Sequence, residues 1–239
     1  MDLNNKKAVV TGASSGIGAA FAHALINRGA TVYGLARSRD KLQRIRKEFG
    51  STFIPVIMDI TDTDAMSRWV DSTFDDQNTP DVLVNNAGLG YFGNVDELTI
   101  EEWDTMISTN LSGTFYLTRL IVPLMKQNPE TCHIVNIASI AGKIANPQIS
   151  GYNASKFGVS GFSEALFKEL RYEGIKVTCL YPGSIATSFF DNANQETHSN
   201  MMQPNEVAKV LIDLLETPDN FLISDITMRP LNPKRPDNE

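Results

Sequence analysis

The sequence predicts an α/β fold, a doubly wound parallel sheet of about seven strands flanked by helices. Three observations predict it. Short β-branched apolar runs alternate with longer amphipathic stretches, the pattern of a parallel sheet covered on both faces by helices. Glycines cluster where the first apolar run meets the first helix-favouring stretch, in AVVTGASSGIGAAFAHAL (residues 8–25). No Gly/Ser linker, internal repeat or low-complexity tract divides the chain, so residues 1–239 read as one domain.

The elements follow in order. KKAVVT (6–11) is the first strand, ended by Gly12, and GIGAAFAHALINR (16–28) the first helix. ATVYGLA (30–36) and DKLQRIRKEF (40–49) repeat the pair, with Asp40 a candidate N-cap. TFIPVIM (52–58) leads to a helix over 62–76, and DVLVN (81–85) to a long helix over 99–127. CHIVNIA (132–138) precedes a helix over 152–173, IKVTCLY (175–181) one over 204–216, and FLISDI (221–226) closes the sheet. The tail 230–239, PLNPKRPDNE, is polar and Pro-rich enough to lie loose or drape over the surface. Sheets of this kind bind ligands at the carboxyl ends of their strands.

Composition excludes several classes of function. A net charge of −7, from 28 acidic and 21 basic residues, argues against nucleic-acid binding, which needs a basic face. Cys132 and Cys179, each in an apolar run, read as buried hydrophobes of a reduced compartment. His23, His133 and His198 are scattered, so no metal site is expected. The start, MDLNNKKAVV, lacks a signal-peptide core, and no 18-residue apolar run occurs, so a cytoplasmic protein without a membrane span is expected.

Gly12, Gly16 and Gly18 fall in a strand-to-helix turn, together with Ser14, Ser15 and Ile17. That turn offers what a phosphate cradle requires: bare N–H groups, a helix dipole and no Cβ atoms in the way. The first gap is wider than in G-x-G-x-x-G, and the Lys-Ser/Thr of a P-loop is missing, which disfavours a nucleotide triphosphatase. A tight glycine turn without a ligand is the alternative. Specificity for a bound dinucleotide's ribose is set about 20 residues on, where an acid holds a 2′-hydroxyl and a base a 2′-phosphate. Here the second strand ends at Ala36 without a carboxylate, and Arg37, Ser38 and Arg39 follow. The guanidinium fork matches a phosphate, so NADP(H) is favoured over NAD(H). Asp40 is the competing ribose acid, and Arg39 and Lys41 have solvation as their alternative role.

Further along come DVLVNNAG (81–88), ISTNLSG (107–113), VNIASIAG (135–142), YNASK (152–156) and YPGSIAT (181–187). With TGASSGIG (11–18), in this order and spacing, they resemble the short-chain dehydrogenase/reductase family, from Lys6 to about Glu216. The resemblance implies a single-domain Rossmann-type fold and an oxidoreductase that moves a hydride between NADP and a small carbonyl/alcohol substrate. It implies Asn110, Ser139, Tyr152 and Lys156 as the catalytic set. Tyr152 would be general acid/base, Lys156 would hold the nicotinamide ribose, Ser139 would orient the substrate, and Asn110 would hold a water leading to Lys156. It further implies that Asp59, followed by Ile60, receives the adenine, and that Asn85, Asn86, Ala87 and Gly88 stabilise the sheet and line the adenosine ribose. Pro182, Gly183, Ser184, Ile185 and Thr187 would face the carboxamide.

The residues themselves are compatible with these roles and with plainer ones. Tyr152 and Lys156, four apart, project from one helix face, and an adjacent ammonium favours the phenolate. Ser139 emerges at the carboxyl edge of the sheet, or merely caps a turn. Asn110, on the buried stripe with Ile107, Leu111 and Thr114, needs a polar partner. Asp59 has capping the helix over 62–76 as its alternative.

Two features depart from the family pattern. The stretch 188–203 mixes Phe189, Phe190, Met201 and Met202 with polar residues, as a substrate loop over an apolar pocket would. The carboxyl end, FLISDITMRPLNPKR, lacks the V-D-G-G of 3-oxoacyl thioester reductases, making that substrate an alternative only. Ala154, Phe157, Gly158, Gly161, Phe162 and Ala165 on helix 152–173 form a small-residue stripe suited to a homodimer or homotetramer. A cofactor-sensing protein without turnover is the rival from another class.

Overall fold

The computed structural model describes residues 1–189 and 200–232. Seven strands form one sheet: β1 (Lys7–Thr11), β2 (Thr31–Ala36), β3 (Phe53–Ile57), β4 (Val82–Asn85), β5 (Cys132–Ile137), β6 (Ile175–Pro182) and β7 (Asp225–Met228). Their spatial order is β3-β2-β1-β4-β5-β6-β7 and every neighbouring pair is parallel. The connection leaves β1 toward β2 on one side and returns to β4 on the other. The edge between β1 and β4 is therefore the point where a crevice opens at the carboxyl ends.

Both faces of the sheet are buried, which is why its strands read as nearly continuous apolar runs. One face carries α1 (Gly16–Ile26), α2 (Arg39–Phe49) and α7 (Pro204–Leu215), which bring Phe21, Leu25, Leu42, Ile45, Leu211 and Leu215 against Val10, Val32, Val84 and Leu180. The other face carries α3 (Thr63–Thr73), α5 (Gly113–Met125) and α6 (Ser150–Leu170), whose Met66, Val70, Leu117, Ile121 and Leu166 meet Val9, Leu83, Ile134 and Val177. The eight-residue α4 (Ile100–Ile107) stands before α5. Truncating a buried Leu or Phe of these layers to Ala would cost about 2–5 kcal/mol.

The structure revises four sequence expectations. The long helix over 99–127 is broken: α4 and α5 are separated by one wide π turn over Ser108–Ser112, with Asn110 buried inside it. Asn110 binds the backbone of Leu89, and a turn of ordinary width would aim its side chain elsewhere. Helix α2 starts at Arg39 with Ser38 at its N-cap, so Asp40 lies in the first turn and does not cap it. Asp62, not Asp59, caps α3, accepting from the Ala65 N–H at 2.9 Å. The last strand lies at 225–228 rather than 221–226, because the Thr178 hydroxyl takes the Ile223 carbonyl (2.6 Å) and the ladder to β6 begins only at Cys179–Asp225. The expected tail 230–239 and substrate loop 188–203 fall largely outside the described residues.

His133 on β5 is fully buried, with Nε2 2.9 Å from Thr178 Oγ1. That hydroxyl spends its proton on Ile223, so Nε2 is the donor, and Nδ1 has no hydrogen-bond partner among the described residues. Burial pushes the imidazole down to about 3, with the Lys176 ammonium acting in the same sense. The unfolded chain takes up this proton first, so the stabilisation is complete above about pH 6.5 and is lost as pH falls toward 3. Thermal unfolding followed by circular dichroism should show a midpoint that falls between pH 6.5 and 4.5, with a shallower fall in His133→Gln.

Candidate active site

The strand-to-helix turn after β1 is built without side chains because there is no room for them. Gly12 (φ +67°) and Gly16 (φ +55°) adopt left-handed backbone, which any other residue would strain. A Cβ on Gly18 would lie 2.2 Å from the Gly12 carbonyl oxygen and 2.5 Å from Asn86 Nδ2. Thr11 ties this turn to the end of β4: its hydroxyl accepts the N–H groups of Asn86 and Ala87 (2.9 Å each), and its carbonyl accepts Asn86 Nδ2 (2.9 Å). Ser15, at the N-cap of α1, makes no side-chain cap bond. A groove of about 730 Å³ opens over this turn.

Of the residues expected to hold a dinucleotide, Gly12, Ser14, Ser15, Gly16 and Ile17 line the groove at one point, and Asn86, Ala87, Gly88 and Thr187 at another. Arg37, Ser38, Asp59 and Ile60 line its far end. Arg37 is 75% exposed there, its Nη1 3.9 Å from Asp59 Oδ2. An ion pair this long and this exposed is worth at most about 1 kcal/mol, so the guanidinium stays available to an anion. Asp59 Oδ1 holds the Thr61 N–H (2.9 Å) and hydroxyl (2.8 Å), which orients the carboxylate. Lys41, for which the sequence left solvation open, lines the groove wall, and sequence reasoning missed Tyr91, Thr105 and Thr109 there. Thr105 reaches the wall from α4 and Thr109 from the π turn, whose width has no sequence signature.

Gly88 joins the groove to the catalytic candidates, since a Cβ there would stand 3.2 Å from Asn110 Oδ1 and 3.4 Å from Lys156 Nζ. Asn110 answers its need for partners completely: Oδ1 accepts from Leu89 N (2.9 Å), while Nδ2 donates to Leu89 O (2.9 Å) and Ser155 Oγ (3.0 Å). Lys156 is buried on α6, donates to Ile137 O at 2.9 Å, and stands 5.7 Å from the Tyr152 ring centroid. Ser139 takes the plainer role as well, because its Oγ accepts the Ala141 N–H (3.1 Å) and caps the short turn Ile140–Gly142. Its hydroxyl also favours the ionised form of the Tyr152 phenol.

Electrostatics here run against the simplest sequence expectation. Burial pushes the Tyr152 phenol up to about 12, with the Ser139 hydroxyl pulling the other way. Burial likewise lowers Lys156 to about 8. Desolvation penalises whichever form is charged, and here it outweighs the ammonium's attraction for a phenolate.

The sheet holds these groups in place through a buried polar ladder. Asn85 Nδ2 donates to Asn136 Oδ1 (2.8 Å) and Thr118 Oγ1 (2.9 Å), and Asn136 Nδ2 donates to Ser163 Oγ (2.9 Å). It therefore pins α5 and α6 to β4 and β5. Pro182 ends β6, and the Gly183 N–H donates to Met228 O (2.8 Å). Ile185 is buried and bridges to Met202, so this turn delivers Thr187 to the groove.

Among the described residues no helix is long and apolar enough to cross a membrane, and no group of three or more His, Cys, Asp or Glu is placed to hold a metal. Both cysteines are buried and free.

A family model described as short chain dehydrogenase matches residues 6–198. An uncharacterized oxidoreductase of Staphylococcus saprophyticus is 33% identical over 97% of this chain and 100% of its own. Another, from Staphylococcus aureus, is 33% identical over 96% and 99% of the two chains. Among solved structures, a serine dehydrogenase complexed with NADP+ superposes with a TM-score of 0.86 at 28% identity, covering 93% of this chain and 94% of that one. A metagenomic short-chain oxidoreductase in complex with NADP gives 0.83 at 32% identity, over 97% and 100%. With its family model, relatives and fold in agreement, the chain belongs to the short-chain dehydrogenase/reductase family and is an oxidoreductase.

Proposed function

We propose that this protein transfers a hydride between NADP(H) and a small carbonyl/alcohol pair, with Asn110, Ser139, Tyr152 and Lys156 as its working set. The observation that carries this reading is the convergence of Lys156 and Asn110 behind Gly88, with the Tyr152 ring centroid 5.7 Å from the Lys156 ammonium, beside a groove over bare backbone. The residues present fit a dinucleotide: Gly12 and Gly16 line the groove with left-handed backbone and no side chain, and Gly16 and Ile17 bring the first turn of α1 to it. When bound, nicotinamide supplies the hydride chemistry. The two solved structures that hold NADP, and the phosphate-matching Arg37 beside Ser38, support NADP(H) over NAD(H).

In carbonyl reduction, Tyr152 gives its proton to the substrate oxygen, and Ser139 donates a hydrogen bond to the same oxygen as charge develops there. The Lys156 ammonium, fixed by Ile137, stabilises the phenolate left behind. Asn110 keeps the backbone of Leu89 and the hydroxyl of Ser155 in register beside Lys156. In alcohol oxidation each proton moves the other way. A cytoplasmic location belongs to this reading. So does a homodimer or homotetramer through α5 and α6, where Phe115 and Phe157 are 45% and 44% exposed beside outward-facing Ala154, Gly161 and Ala165. Gly158 is spent inside the subunit, since a Cβ there would meet Leu111 at 2.7 Å.

Tyr152→Phe should lower kcat by about 10²- to 10⁴-fold with NADP+ affinity little changed, as read by nicotinamide absorbance and by titration. Unchanged turnover in this variant would refute Tyr152 as the general acid/base, whereas an unmodified protein that binds the cofactor but turns nothing over would return the reading to a cofactor sensor. Because Lys156 titrates near 8, kcat/KM for reduction in the unmodified protein should fall as pH rises through that value and the ammonium is lost. Arg37→Ala should raise KM for NADPH about 10- to 100-fold, the worth of a charged hydrogen bond, and leave KM for NADH unchanged. A preference for NADH in the unmodified protein would overturn the cofactor assignment.

A further inference from the structure

The rim beside Tyr152 is made of aromatic rings. Phe92 and Phe189 lie 6.0 and 5.5 Å from the Tyr152 ring centroid and 6.2 Å from each other. They converge on Gly90, where a Cβ would stand 2.8 Å from Phe189 Cζ, 2.9 Å from Phe92 Cε1 and 3.3 Å from Tyr152 Cδ2. Leu89, Ile149 and Met106 extend the same apolar cluster. The rim is held by backbone rather than by the rings alone: the Gly93 N–H donates to Gln148 O (2.8 Å), and the Tyr91 N–H to Met106 Sδ (3.4 Å). Gln148 itself is held at φ +64°, a conformation a side-chain-bearing residue adopts only when its surroundings demand it.

We propose that the substrate's flank beyond its carbonyl carbon is neutral and apolar, best met by an aromatic or branched aliphatic group, and is not a carboxylate. This rests on the hydride-transfer reading above and deepens it. An uncharged flank gains contact with the rings and loses no hydration, whereas a carboxylate set against them gives up water without a partner. Methyl 4-formylbenzoate and 4-formylbenzoate share a shape and differ in charge. Binding is read as the thermal shift of the NADP+-loaded protein, with no NADPH present to reduce either aldehyde and with nicotinamide absorbance confirming that none forms. The ester should bind at least roughly tenfold more tightly, the discrimination an apolar pocket gives, and with NADPH its kcat/KM should exceed that of the acid by a similar factor. Gly90→Ala, which pushes the rings apart, should narrow the binding gap. Equal shifts, no shifts, or a larger shift with the acid would overturn the proposal. A larger shift with the ester, but no turnover of either aldehyde, would sustain the apolar flank and sink the hydride-transfer reading.

A separate observation concerns Asn153, which neighbours Tyr152 and is buried on α6. Its Nδ2 donates to Ala141 O (2.6 Å) and Ile144 O (3.1 Å), and its Oδ1 accepts the Asn146 N–H (3.2 Å). Ala141 is also the residue whose N–H holds Ser139 Oγ. The geometry points to Asn153 as a positioning residue that locks the Ser139 turn onto the helix bearing Tyr152. Asn153→Ala should lower kcat about tenfold with KM for NADPH unchanged, and should have little further effect on kcat in Ser139→Ala, because residues acting as one unit are not additive. Full additivity of the two substitutions, or a loss confined to melting temperature, would overturn this role.

Discussion

The close approach of α1 to the ends of β1 and β4 is the constraint on which the rest of the molecule depends. Gly18 packs its bare Cα against the Gly12 carbonyl and the Asn86 amide, and Thr11 uses hydroxyl and carbonyl together to bind Asn86 and Ala87. The first helix is thereby fixed with its N-terminus over the sheet's switch point. The groove exists because this junction is tight, and its floor is main chain because nothing larger fits.

A second theme is how much polarity the sheet buries to position few reactive groups. The ladder from Thr118 through Asn85 and Asn136 to Ser163 crosses two strands and reaches a helix at either end. Such networks stabilise only when satisfied, and this one leaves Asn85 Oδ1 without a partner among the described residues. What it provides is register: α5 and the π turn behind it, and α6 with Tyr152 and Lys156, are both held against the same pair of strands. Burial then sets the chemistry, holding Tyr152 protonated and lowering Lys156 to about 8. Charge added to the groove falls on a site of low dielectric, where it weighs heavily.

Much of the fold was legible in the sequence. Six strands fell within a residue or two of their observed ends, because a parallel sheet buried on both faces demands apolar runs that few other elements require. The seventh slid by four residues at its start, since FLIS has the composition of a strand and only the Thr178–Ile223 contact excludes it from the ladder. The glycines, Arg37, Asn86 and Thr187 were legible as groove residues through spacing. Thr105 and Thr109 were not, because their exposure to the groove depends on how α4 and the π turn are oriented.

The sequence by itself determined the alternation of strand and helix, the glycine turn, the family motifs and the identity of every group that meets at the site. Those properties follow from composition and from short-range spacing, where each residue acts through its own backbone preference or its near neighbours. The tertiary structure alone decided that Asn110 sits in a wide turn, that desolvation overrides the lysine in setting the state of the phenol, and that three rings close around Gly90. Each of these is a balance among groups far apart in the chain, and such a balance takes a value only once packing has fixed the distances and driven out the water.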